Sequence, residues 1–245
     1  MKRKVFSYPY IVWMVLFILA PMLFVLYYAF TRDGHFSLEA VRAVLGKETY
    51  LISLWDSLKT AFATTAICLV LGYPVAYILS TMKKAVAALI SVFFIVPMWM
   101  NVLLRTYAWM SILENTGLLN RLFRAVGIID LYNSIAVHFA ADPALYQPIE
   151  YFSMINTQGA VVLGMVYNYL PFMILPIYSV IIKLDRSLLD AAHDLGADSR
   201  RTFMKVTLPL SVPGILSGVT MVFVPAVSTF AISRLLGGNN LTLLG

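Results

Sequence analysis

Cysteine is nearly absent from this chain, with Cys68 the only one. A lone thiol forms no internal disulfide, so a disulfide-stapled scaffold is excluded, and no Cys/His set has metal-ligand spacing. Cys68 is expected to pack as a small apolar side chain. Charge is also scarce, at 12% of residues, where a soluble domain carries about 25%. Gly (13) and Pro (11) are too few for a collagen-like or low-complexity chain. No G-x-x-x-x-G-K-S/T phosphate loop occurs, and the only Gly-Lys pair, Gly46-Lys47, continues into Glu48. His35, His138 and His193 are scattered, with no H-E-x-x-H pair and no nucleophile motif nearby. The chain is therefore read as neither an enzyme nor the holder of a cofactor or metal.

What the chain has instead is hydrocarbon. Of its 245 residues 60% are apolar, and the mean hydropathy is +0.82. Five stretches contain no Asp, Glu, Lys or Arg: residues 10–30, 60–82, 86–104, 159–182 and 206–233. Each approaches or exceeds the roughly 20 residues that a helix needs to cross a bilayer. The third is expected to continue past Arg105 to residue 113, giving spans at 10–30, 60–82, 86–113, 159–182 and 206–233. The predicted fold is an all-α polytopic membrane bundle, one domain over residues 1–245.

Positive charge sets the expected orientation. Lys2, Arg3 and Lys4 precede the first span, Lys83 and Lys84 follow the second, and five more Lys or Arg lie in 183–205. Lys and Arg concentrate on the cytoplasmic side, so the N-terminus is placed inside and the loops 31–59 and 114–158 outside. The net charge of +6 then reflects topology and anionic lipid, with no nucleic acid implied. Five spans leave the C-terminus outside, and the expectation is that the chain stops short of a sixth. Asn240-Leu241-Thr242 is a glycosylation sequon by pattern only.

Pro21, Pro74, Pro97, Pro171, Pro176, Pro213 and Pro225 fall within the spans. Each removes a backbone donor and crowds the preceding turn, which transporters exploit in broken helices around a central site; proline is also simply commoner in membrane helices. Gly214 and Gly218 form a GxxxG that suits close helix packing. The spans hold no acidic residue and no histidine, the groups that ion-coupled transporters use to bind ions or relay protons. Any energy source is therefore expected outside these helices.

The inner loop 183–205 is the one loop with a pattern. Ser187 and Asp190 have capping-box spacing, while Leu188, Ala191, Ala192 and Leu195 recur on one helical stripe. Gly196 can end the helix in the left-handed conformation, and Asp198 or Ser199 can cap a second one. Such a helix could lie in the lipid interface. Its polar face mixes Asp190, Asp194, Arg200 and Arg201, which fits a protein partner better.

Asp190-Ala191-Ala192, Gly196 and Leu208-Pro209 resemble the E-A-A---G loop of ABC importer permeases, with Asp190 in place of the usual Glu. Further likeness runs through Gly72-Tyr73-Pro74, Ile95-Val96-Pro97, Arg105-Thr106-Tyr107, Leu170-Pro171-Phe172, Lys183-Leu184-Asp185 and Leu235-Leu236-Gly237-Gly238. These segments are similar to permeases of the bacterial spermidine/putrescine type. The resemblance implies a type I ABC importer transmembrane domain in the bacterial inner membrane, transporting polyamines. It also implies partners: two copies of an ATP-binding ATPase subunit that hold ATP and Mg, a second permease subunit, and an extracytoplasmic polyamine-binding protein. By the same resemblance, Ser187, Leu188, Asp190, Ala191, Ala192, Leu195 and Gly196 would couple to the ATPase. The outer loop 142–157 is longer than that resemblance leads one to expect.

A polycation crossing spans without carboxylates would need carbonyls or aromatic faces. The candidates are Trp99, Asn101, Tyr107, Trp109, Tyr167, Asn168 and Tyr169, near the bends of the third and fourth spans. The same residues also suit an interfacial aromatic belt and interhelical hydrogen bonds. Two alternatives stay open: a permease for another solute, such as an anion, metal or amino acid, for which Arg105 would suit an anion, and a membrane scaffold or channel.

Overall fold

The computed structural model describes residues 8–32, 35–139 and 146–238. Lys2, Arg3, Lys4 and the sequon at Asn240 lie outside the described residues. Two compact units are described, Met1–Ile52 and Ser53–Gly245.

In the first unit, helix α1 spans Tyr8–Phe30, and none of its side chains is buried. Its backbone hydrogen bonds close within the helix, as hydrocarbon requires. Val15–Leu19 forms a π turn in which the Ala20 N–H donates to Val15 O. Pro21 is the cause: its ring crowds the turn before it, and a wider turn relieves the clash. Strands β1, Thr31–Arg32, and β2, His35–Phe36, pair antiparallel, and Phe36 stacks on Phe30 at 6.1 Å. Helix α2, Glu39–Gly46, begins where the Glu39 N–H donates to Ser37 Oγ at 3.2 Å.

Helix α3, Glu48–Thr81, leads into the second unit and starts well before the expected boundary at residue 60. Its buried face is a stripe of small residues: Ser53, Ser57, Ala61, Thr64, Cys68, Gly72 and Ala76. Cys68 is fully buried, consistent with packing as a small apolar side chain. Beside the stripe, Tyr73 OH and Ser211 Oγ share a hydrogen bond at 2.9 Å.

The third span is not the continuous rod expected over 86–113. Helix α4, Lys84–Ile95, runs into a 3-10 turn at Val96–Trp99, and α5, Val102–Leu113, starts afresh. The two halves are bent by 93°. Two residues explain the break. Pro97 supplies no N–H to continue the ladder. Asn101 then caps α5, its Oδ1 accepting the Leu103 N–H at 2.8 Å.

Residues 114–158, expected as an outer loop, contain structure that this expectation did not include. Helices α6, Leu118–Ala125, and α7, Ile128–Phe139, hold a strap of residues 146–157. Asn133 Nδ2 donates to Ile149 O and its Oδ1 accepts the Ile149 N–H, at 2.9 and 3.0 Å. Asn120 treats Phe152 the same way, at 3.0 and 2.9 Å. Each side-chain amide thereby substitutes for a neighbouring strand.

Helix α8, Gln158–Ile181, is the axis of the unit. It packs against α3 and against α10, Ser199–Ser228. Short α9, Arg186–Asp194, precedes α10, and α11, Ala231–Gly237, follows it. The fifth span therefore ends at Ser228 and not at 233, because Thr229 is extended. A second π turn, Phe203–Thr207, stands just before Pro209, repeating the arrangement at Pro21. Two apolar clusters form the core. Met173, Ile174 and Ile177 of α8 centre one, and Val161 and Met165 centre the other, where Ile232 and Leu236 of α11 dock.

The GxxxG sets the α8–α10 distance. A Cβ at Gly214 would lie 3.0 Å from both Ile177 Cα and Pro176 O, and one at Gly218 would lie 3.2 Å from Met173 O. Backbone cannot give way as a side-chain tip can. Gly214→Val should therefore lower stability by about 1–3 kcal/mol through overpacking, read as a lower thermal midpoint in detergent. Gly46→Val, where a Cβ meets nothing within 4 Å, should shift it by no more than about 0.5 kcal/mol.

Candidate functional site

The loop singled out from sequence folds as two capped helices with a glycine between them. Asp185, and not Ser187, caps α9: Asp185 Oδ1 accepts the Ser187 N–H at 3.0 Å. The capping-box spacing of Ser187 and Asp190 misleads because the helix already begins at Arg186. Hydrogen bonds from the Ser187 N–H and hydroxyl hold the Asp185 carboxyl below its ordinary value. A carboxylate with a depressed folded-state pKa contributes stability above its unfolded value and loses it as pH falls through the folded one. The cap therefore operates at neutral pH and weakens in acid.

Gly196 ends α9 at a φ of +77°, as the sequence reading expects. The Ala197 N–H reaches back to Ala192 O at 2.9 Å, closing the turn. Asp198, one of the two caps proposed from sequence, starts α10 by accepting the Arg201 N–H at 2.7 Å.

The predicted stripe divides in two. Leu188, Ala191 and Leu195 are exposed, Leu195 to 88%, while Leu189 and Ala192 are half-buried. Asp190 and Gly196 are also exposed. The outward apolar row of Leu188, Ala191 and Leu195 has helical spacing, and each of the three is exposed among the described residues.

Behind α9 lies a cavity of about 700 Å³. The ends of α3 and α8, the start of α10, and Leu189 and Asp190 of α9 enclose it. Lys84, Lys183 and Thr202 also line it; sequence reasoning missed them as a group because they come from three separate segments.

The aromatic candidates do not gather as one group. Trp109 and Tyr167 meet edge to face with centroids 5.4 Å apart. They line a groove of about 800 Å³ together with Ile67 and Leu71, and Lys59 stands among its lining residues. Trp99 is 86% exposed at the bend, and Tyr107 is also exposed. Asn101 is occupied as the α5 cap. Tyr169 packs against both apolar clusters. Asn168, 3% exposed, donates to Gly164 O at 2.8 Å while its Oδ1 has no partner among the described residues. Glu114 and Glu150 are exposed. Among the described residues, no group of three or more His, Cys, Asp or Glu is placed to hold a metal ion.

This bent multi-span bundle can be compared with known proteins. A family profile described as "Binding-protein-dependent transport system inner membrane component" matches residues 72–245. The chain belongs to that family. This permease is 37% identical over 240 residues to the spermidine/putrescine transport system permease protein PotB of Haemophilus influenzae, covering 95% of this chain and 77% of that one. It is 38% identical to PotB of Escherichia coli K12, covering 95% and 80%. An inner membrane ABC transporter permease protein, YdcU of E. coli K12, is 30% identical over 203 residues, covering 82% and 62%. Two solved structures share the fold. One is a bacterial ABC transporter involved in import of the acidic polysaccharide alginate, with TM-score 0.66 at 13% identity, covering 97% and 74%. The other is the alginate transporter with a pentasaccharide-bound periplasmic protein, with TM-score 0.68 at 13% identity, covering 99% and 80%. The fold is that of an ABC importer permease, and the chain is a multi-pass inner-membrane transport component, not an enzyme.

The α9 cap is testable in this permease. Asp185→Ala should weaken the helix start, so that amide exchange at Leu188 and Leu189 quickens about fivefold by mass spectrometry. Asp185→Asn keeps an acceptor oxygen and should stay near wild type.

Proposed function

We propose that this permease is one transmembrane subunit of an ATP-driven polyamine importer and forms half of its translocation pathway. The observation that carries the substrate class is the 37–38% identity over 95% of the chain to spermidine/putrescine permeases. Its partners would be a second permease, two ATPase subunits that bind ATP and Mg, and an extracytoplasmic polyamine-binding protein. The N-terminus would lie in the cytoplasm, which puts α9 on the ATPase side.

Coupling would run through residues 187–196. The exposed row of Leu188, Ala191 and Leu195 offers an apolar ridge for a groove in the ATPase. Asp190 and Ser187 flank it, Ala192 backs it, and Gly196 sets its exit angle. For the pathway, the paired Trp109 and Tyr167 are the best placed of the aromatic candidates. A cation over their faces gains about 0.5–2 kcal/mol per ring, enough for passage and too little for a trap. Trp99, Tyr107 and Tyr169 do not line that groove, Asn101 serves as a cap, and Asn168 is buried with a free acceptor.

A second reading, a permease for another solute, draws on Lys59 at the same groove. A cation there opposes a polyamine and suits an anion, although Lys59 already pairs with Asp56 at 3.5 Å.

The test is ATP hydrolysis by the reconstituted complex with its binding protein. Spermidine or putrescine should stimulate it, while an amino acid and an inorganic anion should not; the reverse pattern keeps the permease and removes the polyamine. Gly196→Asp places an L residue at φ +77°, a conformation that costs roughly 1–2 kcal/mol. It should abolish the stimulation while the complex still assembles, and full activity in that variant would refute coupling through this loop. Trp109→Ala should raise the transport KM by roughly two- to thirtyfold if the ring contacts the cation.

A further inference from the structure

The cavity behind α9 has the composition of an anion site with an apolar floor. It lies where α3 ends at Thr81, where α8 ends at Ile181, and where α10 begins. That is the level at which membrane helices leave hydrocarbon for headgroups. Lys84 and Lys183 both line it, against a single carboxylate, Asp190. Ser199, also on the lining, opens a 30-residue helix whose N-terminal dipole favours negative charge; Asp198 already caps one N–H there, so the two lysines are the main charge partners. Thr202 lines the cavity too. It is 6% exposed, and its hydroxyl has no hydrogen-bond partner among the described residues. A buried hydroxyl without a partner points to a ligand that completes it. Leu79, Ile181 and Phe203 supply the apolar part of the same wall.

We propose that this cavity binds a phosphate-bearing anion, and that its occupant is an anionic phospholipid of the adjoining leaflet. The phosphate lies between Lys84, Lys183 and the start of α10, and the upper acyl chain lies over Leu79, Ile181 and Phe203. At about 700 Å³ the space exceeds what a free phosphate needs, and it matches a headgroup with the first carbons of its chains. Free phosphate shares the anion chemistry but leaves the apolar wall uncovered. The site stands whether or not the transported solute is a polyamine, since it requires only that these helices span a membrane.

The full chain, delipidated and returned to nanodiscs or detergent, is titrated with phosphatidylglycerol, phosphatidylethanolamine and inorganic phosphate, with retained lipid read by native mass spectrometry. Phosphatidylglycerol should be retained over phosphatidylethanolamine. Lys84→Gln and Lys183→Gln should each weaken it about fivefold, the effect of one basic residue near an anionic surface, and together roughly 25-fold. The control is Lys83→Gln, next in sequence to Lys84 and not on the lining. Equal loss in that variant would mean general attraction to a basic surface and would overturn the site. No preference for phosphatidylglycerol together with no binding of inorganic phosphate would also overturn it. Phosphate binding that depends on Lys84 and Lys183, without retained lipid, keeps the anion site and assigns it to the free ion. All three lysines are exposed, and thermal midpoints should confirm that each variant folds as wild type.

Discussion

In hydrocarbon no water is available to bond a loose backbone group, so each interruption of a helix in this chain must be satisfied locally. That requirement shapes the whole molecule. At Pro21 and Pro209 the chain meets it by widening one turn, so that the ladder continues with longer loops. At Pro97 the ladder fails, and Asn101 restarts it with a side-chain acceptor. Thr157, Asp185 and Asp198 perform the same service at the starts of α8, α9 and α10. Several polar side chains therefore stand where helices begin and serve as caps, while many serines and threonines within the helices donate back to a carbonyl of the preceding turn.

Between the breaks, cohesion comes from close approach. Lipid tails are as apolar as leucine, so burial alone gives the helices little reason to associate. Small residues supply the reason: the stripe on α3 from Ser53 to Ala76 and the pair Gly214 and Gly218 on α10 let both helices lie against α8. The bulk between them comes from α8 itself, through Met173, Ile174 and Ile177. One large-residue helix between two small-residue faces defines a narrow set of distances, and the prolines of α8 and α10 are tolerated inside that fit.

Much of this was legible in the sequence, and the reasons differ by feature. Span positions followed from where charge is absent, because an ion in hydrocarbon is expensive at any position in the helix. The loop at 183–205 was legible because its period, its glycine and its cap candidates agree. The finer geometry was less so. The spacing of Ser187 and Asp190 suggested a cap that Asp185 in fact provides, since several short polar side chains compete for one helix start. Asn101 and Asn168 read alike as amides inside spans, yet one is a cap and the other is buried with an acceptor free. The segment 114–158 was opaque for a different reason. Asn120 and Asn133 reach backbone 32 and 16 residues away, and no local pattern encodes a partner at that distance. The cavity behind α9 was hidden in the same way, because its walls come from five helices.

The proposed coupling role needs a lever that stays rigid while its ends turn, and the geometry around α9 meets both conditions. Rigidity comes from the Asp185 cap and from the closing bond between Ala197 and Ala192. The turn comes from Gly196, whose φ of +77° redirects the chain at the end of α9. A displacement of the exposed row at Leu188 and Leu195 would pass through that glycine to the Asp198 cap and so to the start of α10. There the π turn at Phe203–Thr207 holds the one loosened stretch of backbone before the GxxxG contact with α8. Movement would therefore be absorbed at that turn or passed along α10 as a whole. The backbone contacts of Gly214 and Gly218 are too close for α10 to bend beside them, which favours rotation of the helix as a unit against α8.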